Sequence, residues 1–195
     1  MVKAIDLQVQ IGVEGRIPFK DRERFDILMK YFRASGKVIM KEEEWIEGMR
    51  KADVKGVVWA GAYKSIGWTN FDDVKKNNDY IGELIKKYPD VILGAWIGLD
   101  PDLGIKGVRE LERCINDLKT YGIAVCGALT GVPADDKRWY PYYEVCEDAK
   151  VPIKIWVGHL AYGSGMPGGW GIKLYTENPI PYVDNVAADF PNLTI

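Results

Sequence analysis

A chain of 195 residues and 22.0 kDa has the length of one sizeable domain. Hydrophobic residues make up 47% and charged ones 28%, and 7 Trp, 11 Tyr and 5 Phe supply the bulk of a packed core, which excludes disorder as the main state. Lys and Arg number 26 against 28 Asp and Glu, a net charge of −2, so no strong field gathers phosphate backbones or anionic lipid, and nucleic acid is excluded as a principal partner.

Short β-branched or apolar runs alternate with longer amphipathic stretches, the pattern of successive βα units and hence of a parallel sheet or barrel. Residues 4–11 open as a strand; 55–60, 91–97, 123–126 and 151–157 follow as strands two to five, and a sixth begins at Leu193. Residues 19–40, charged and aromatic, form an insertion between the first strand and its helix, read as a lid, a dimer contact or both. Residues 42–52 place Trp45, Ile46, Met49 and Ala52 at helical spacing, and 78–87 do the same with Ile81, Leu84 and Ile85. The acidic run Glu42 to Glu44 reads as a solvated helix start, where negative charge suits the dipole. Residues 108–119 set Val108, Leu111, Cys114, Ile115 and Leu118 on one stripe after the turn-forming Asp100-Pro101-Asp102. Two further helices, 140–149 and 182–189, each follow a proline-containing segment suited to a first turn.

Glycine- or proline-rich segments at 61–68, 127–136 and 158–171 follow strands two, four and five. In a parallel α/β array such loops gather at the face where ligands bind. Trp59, Trp96 and Trp156 fall at the ends of strands two, three and five. An aromatic-lined pocket there would suit a planar or acyl substrate, and space-filling indoles are the equal alternative. Gly163-Ser164-Gly165-Met166-Pro167-Gly168 matches G-x-G-x-x-G but leads into further glycines and prolines instead of a helix, so it reads as a flexible loop over the pocket and not as a dinucleotide fingerprint. Cys126 reads as a small buried hydrophobe. Three cysteines without a C-x-x-C pair suggest neither a disulfide framework nor a thiolate zinc site and fit a reducing cytoplasm. There is no signal-peptide pattern, and no apolar run approaches the roughly 20 residues that span a bilayer.

The opening strand Ile5-Asp6-Leu7-Gln8-Val9-Gln10-Ile11-Gly12 is followed by Asn78-Asp79, by Tyr88-Pro89-Asp90 and by Gly94 to Asp100 with Pro101. Further on come Glu110-Leu111-Glu112-Arg113, the segment 135–143, Val151-Pro152-Ile153-Lys154-Ile155 and Ala188-Asp189-Phe190-Pro191-Asn192-Leu193. In this order and spacing the stretches resemble the amidohydrolase-related superfamily, in the branch of aminocarboxymuconate-semialdehyde decarboxylase-like and resorcylate decarboxylase-like enzymes. The resemblance implies an α/β fold of the metal-dependent-hydrolase kind, a distorted (β/α)8 TIM barrel. Such a barrel needs about 250 residues, so residues 1–195 read as a single barrel domain that stops at the start of strand six. The rest is expected in a longer chain, in a separate polypeptide or in another copy.

The resemblance also implies a divalent metal held by a His-x-His pair on strand one, a histidine ending strand five, and later histidine and aspartate ligands. Here Gln8 and Gln10 stand in place of the His-x-His pair and Trp156 stands at the strand-five position. A neutral amide is a poor zinc ligand beside imidazole, and an indole offers only an N–H donor. No metal ligand is assigned and no cofactor is expected from this segment; zinc would need non-standard ligands or residues beyond 195. Strand alternation turns Gln8 and Gln10 together into the barrel as buried amides that bond each other, a water, or a substrate carbonyl or carboxylate. His159, the single histidine, is the candidate general acid or base at the strand-five mouth, with an ordinary loop histidine as the alternative. Two functions follow. In one, an enzyme hydrolyses or decarboxylates a small organic acid or acyl compound at the barrel mouth. Gln8, Gln10, Trp59, Trp96 and Trp156 bind the substrate and His159 moves the proton. In the other, a non-catalytic barrel serves as a structural or regulatory subunit. Both imply a homo-oligomer or a partner subunit, without nucleic acid or membrane.

Overall fold

The structure, a computed structural model, describes residues 3–16, 20, 22–31, 33–34, 39–157 and 180–195. β1 (Ala4–Val9), β2 (Val54–Gly61) and β3 (Ile92–Gly98) pair in parallel in that order, and β4 (Ala124–Val125) pairs in parallel with β5 (Lys154–Ile155). A bridge between Ile97 and Ile123 joins the two ladders, so five strands lie side by side in chain order. The amide of Ile153 donates to the carbonyl of Thr194 at 2.9 Å, the first rung of pairing beside β5 where the sixth strand is expected. Sequential parallel strands with helical crossovers form the wall of a (β/α) barrel, incomplete over the described residues.

The helices α1 (Arg22–Tyr31), α2 (Glu42–Lys51), α3 (Phe71–Lys87), α4 (Ile105–Leu118), α5 (Gly127–Thr130), α6 (Tyr140–Asp148) and α7 (Ile180–Asp189) complete the described elements. α1 falls within the charged insertion at 19–40. α3 starts two turns earlier than its apolar stripe suggests, because the Asn70 side chain accepts from the amide of Asp72 at 2.9 Å and caps it. α4 likewise begins before residue 108. Pro101–Leu103 form their own 3-10 turn, and Gly104, at a φ of 54°, makes the left-handed step into the helix. β4 and β5 are two residues each, shorter than the runs at 123–126 and 151–157, while Lys154 and Trp156 still donate their amides to the carbonyls of Ile123 and Val125.

Two polar clusters pin helices over the sheet. Glu42 opens α2 but is not a solvated helix start: its carboxylate accepts from the hydroxyls of Tyr80 and Tyr88 and from Lys87 Nζ at 2.9, 2.9 and 2.7 Å, clamping α2 to α3. The neighbouring tyrosines supply donors that spacing along the chain does not reveal. The second cluster is deeper. Glu110 is 3% exposed; its carboxylate accepts from Asn78 Nδ2 at 2.8 Å and from Arg113 Nε and Nη2 at 2.9 and 2.8 Å, and Arg113 also pairs with Asp79 at 2.7 Å. Burial alone would raise the Glu110 carboxyl, but the hydrogen bonds from Arg113 and Asn78 and the guanidinium charge hold it below the ordinary glutamate value. Replacing Glu110 by Gln is expected to lower unfolding stability by about 1–3 kcal/mol, since Arg113 then faces a neutral group. Because the folded-state value is depressed, this contribution is present above the unfolded glutamate value and is lost as pH falls through the folded one. Denaturant melts of both proteins at pH 7 and below pH 4 check this, and the gap between them is expected to narrow in acid.

Candidate functional site

The site is built on an irregularity in β1. Asp6 pairs with Gly56 and Val9 with Val58, so three steps along β1 match two along β2. The displaced amide of Gln8 does not stay idle: it donates to the Asp6 carboxylate at 2.8 Å. The Leu7 carbonyl accepts from Trp96 Nε1 of β3 at 2.8 Å and, more weakly, from Lys154 Nζ of β5 at 3.5 Å. Lys154 Nζ also donates to Gln8 Oε1 at 2.7 Å. Strands β3 and β5 are not neighbours of β1, so side chains from both reach it only because the sheet curls toward that face.

Alternation along β5 gives Lys154 and Trp156 the same face, and Lys154 Nζ lies 5.0 Å from the Trp156 ring centroid. The Trp156 ring lies 5.0 Å from that of Trp59, and Trp59 stands in register with Trp96 across β2 and β3. The three tryptophans and the lysine therefore share the concave face. Their exposures differ. Trp59 is fully buried and Trp96 is 7% exposed, whereas Trp156 and Lys154 are half-buried. Trp59 is thus a floor beneath Trp156 and has no open ring face, a closer packing than a pocket-lining residue requires. Gln8 and Gln10 are exposed and not buried amides as strand alternation suggests, because β1 is the free edge of the described sheet.

Burial lowers the proton affinity of Lys154 to about 8, against the opposing pull of Asp6 and Cys126. Sequence reading passes over this residue, although one signal marks it: a lone cation two positions before Trp156 in an otherwise apolar strand. Cys126 is 1% exposed and burial pushes its thiol up to about 12, so it stays protonated and serves as a packed hydrophobe. His159 and the glycine-rich run at 163–168 lie outside the described residues.

The family-implied metal has a poor set of donors here. Gln8 Oε1, at the first of the expected ligand positions, already accepts from Lys154, and Trp156 brings no lone pair. Among the described residues no group of three or more His, Cys, Asp or Glu side chains is placed to hold an ion, and no helix is long and apolar enough to cross a membrane.

The amidohydrolase family model matches residues 47–195. The chain belongs to that family. Its relatives place it in the aminocarboxymuconate-semialdehyde decarboxylase-like branch. It is 28% identical over 129 residues to the 2-keto-4-carboxy-3-hexenedioate hydratase of a Sphingobium species, covering 60% of this chain and 37% of that one. It is 27% identical over 93 residues to the 2-amino-3-carboxymuconate-6-semialdehyde decarboxylase of Dictyostelium discoideum, covering 48% of this chain and 26% of that one. Among solved structures, the 5-carboxyvanillate decarboxylase of Novosphingobium aromaticivorans, complexed with manganese and a nitrobenzoic acid, superposes with a TM-score of 0.64 at 15% identity over 97% of this chain and 62% of that one. The 2,6-dihydroxybenzoate decarboxylase of Rhizobium gives 0.62 at 16% over 99% and 65%. These likenesses establish the TIM-barrel fold, and the amidohydrolase chain spans under two thirds of each structure.

Lys154 is expected to react with acetic anhydride with a midpoint near pH 8, whereas exposed lysines stay protonated to about 10.4. Competitive labelling across pH 6–11, read by peptide mass, checks it. The unfolded chain binds this proton more tightly than the folded one, so the lysine's contribution to stability rises with pH from about 8 upward.

Proposed function

We propose that residues 1–195 form one barrel domain, with its insertion at 19–40, whose concave face binds a small organic acid in an amidohydrolase-family enzyme of the carboxy-lyase or hydrolase type. The supporting observation is Lys154 Nζ fixed at 2.7 Å from Gln8 Oε1 beside the half-buried Trp156. A positive nitrogen set in low-dielectric surroundings attracts a carboxylate more strongly than a solvated lysine does. Gln8, with its oxygen occupied by Lys154, keeps its Nε2 hydrogens for a substrate oxygen, and the exposed Gln10 is the second amide assigned to the substrate. Trp156, packed on Trp59 and beside Lys154, lines the face as an aromatic wall, while Trp96 holds the β1 carbonyl in place. His159 is the group assigned to move the proton.

This reading agrees with the relatives, whose names denote enzymes of carboxylate-bearing hexenedioate, muconate and benzoate compounds. Manganese appears with the 5-carboxyvanillate decarboxylase. The amides and the indole of this chain do not fit such an ion, and the ammonium of Lys154 supplies the positive charge at this face instead.

Titration of the chain with 2,6-dihydroxybenzoate is expected to quench tryptophan fluorescence saturably at pH 7. Lys154→Met is expected to weaken that binding about tenfold or more, the worth of one hydrogen bond to a charged group, while Lys154→Arg retains most of it. Absence of saturable quenching, or equal binding by Lys154→Met, would overturn the reading.

A further inference from the structure

We propose that the Lys154 amine, held against Leu7 and Gln8 on the concave face, is a nucleophile that condenses with the carbonyl carbon of a small oxo acid to form an imine. The inference rests on the small-acid reading of this face and extends it from a charge that binds to an atom that reacts.

The hydrogen-bond pattern carries the argument. A neutral amine has two hydrogens and one lone pair, and a protonated one has three hydrogens and none. Among the described residues Nζ has two acceptors, Gln8 Oε1 at 2.7 Å and the Leu7 carbonyl at 3.5 Å, and both lie on β1. Both take hydrogens on the β1 side, so the remaining tetrahedral position of Nζ, the lone pair of the neutral amine, points away from β1. The Leu7 carbonyl is itself held, by the irregularity of β1 and by its bond from Trp96 Nε1.

Proton affinity agrees with the geometry. At about 8, Lys154 is substantially unprotonated under mildly alkaline conditions, where an ordinary lysine is almost wholly an ammonium. The charged or titratable groups acting on it are Asp6 on β1 and Cys126 after β4, both of which raise its proton affinity, so burial outweighs them.

The chemistry balances without a further reagent. The Nζ lone pair forms a bond to the carbonyl carbon, the π pair moves to oxygen, and that oxygen takes up one proton as nitrogen releases one. The carbinolamine hydroxyl then takes up a second proton from solvent and leaves as water with the C–O bonding pair, while the nitrogen lone pair forms the C=N bond of the protonated imine. The amide hydrogens of Gln8 are available to the oxygen on which charge develops. The substrate's carboxylate fixes the class as an oxo acid. The keto and semialdehyde groups in the names of two relatives' substrates show that carbonyl-bearing acids occur in this family.

The test is reductive trapping. The full chain is incubated with glyoxylate and sodium cyanoborohydride, which reduces the imine to a stable secondary amine, and the lysine peptides are measured by mass spectrometry. The expected result is a reduced adduct on Lys154 about tenfold or more above the other lysines, half-maximal near pH 8, and absent at that position in Lys154→Arg. An adduct spread evenly over the lysines, or none on Lys154, overturns the proposal. The wild-type peptide map decides this even where the variant fails to fold. If 2,6-dihydroxybenzoate still quenches tryptophan fluorescence while no Lys154 adduct forms, the imine falls and the small-acid site stands; if neither occurs, both fall.

Discussion

A cation half-buried against an aromatic floor is an electrostatic liability unless something takes up its hydrogens, and in this barrel the relief comes from a single defect in one strand. The step in register between Asp6 and Val9 leaves the Leu7 carbonyl available to Trp96 and Lys154. A regular strand would have committed that carbonyl to the β1–β2 ladder. The irregularity is in turn held by a local bond, the Gln8 amide to the Asp6 carboxylate, which satisfies the donor that the ladder no longer pairs. A short polar side chain at position 6 therefore sets the orientation of a backbone group that two distant strands use. The same contacts draw β3 and β5 toward β1 and hold the curl of the sheet, so the geometry of the site and the closure of the wall are one constraint.

Much of the fold is legible along the chain because periodicity survives burial. Leu111, Cys114, Ile115 and Leu118 predict the buried stripe of α4, and all four are buried. Helix starts are less legible. The Asn70 cap and the glycine step at Gly104 work through single side-chain or backbone geometries that carry no repeat. The short β4 and β5 show the opposite case, in which apolar composition extends past the backbone pairing that defines a strand. Glu42 belongs with neither: its charge looks solvated in sequence because Tyr80, Tyr88 and Lys87 come from the next helix but one turn of chain cannot show it.

The site divides along the same line. Trp59, Trp96 and Trp156 are placed by strand position alone, and the curl brings them to one face, though their unequal burial depends on what packs over each ring. Gln8 is legible as an inward-facing group, while its partner is not. A lysine within a strand reads as a solvated edge residue, and only the approach of β5 to β1 turns Lys154 into the cation of a cleft. The relevant separation is that between residues 8 and 154, far beyond any local pattern.

The pairing of the Gln8 amide with the Lys154 amine sets what the face can do. A nitrogen that titrates near 8 is a switchable group: protonated, it holds a carboxylate by charge and by the one hydrogen that β1 does not take; deprotonated, it presents a lone pair. Both states use the same two acceptors on β1, so the switch needs no movement of the scaffold. Trp156 favours the charged state through its ring face, and burial favours the neutral one, which keeps the balance within the range that a bound anion can tip. A carboxylate arriving at the face raises the proton affinity of the amine and a departing one lowers it. In the proposed site, acid binding and proton uptake are thereby linked through one atom, and the strand irregularity that positions Leu7 positions that link as well.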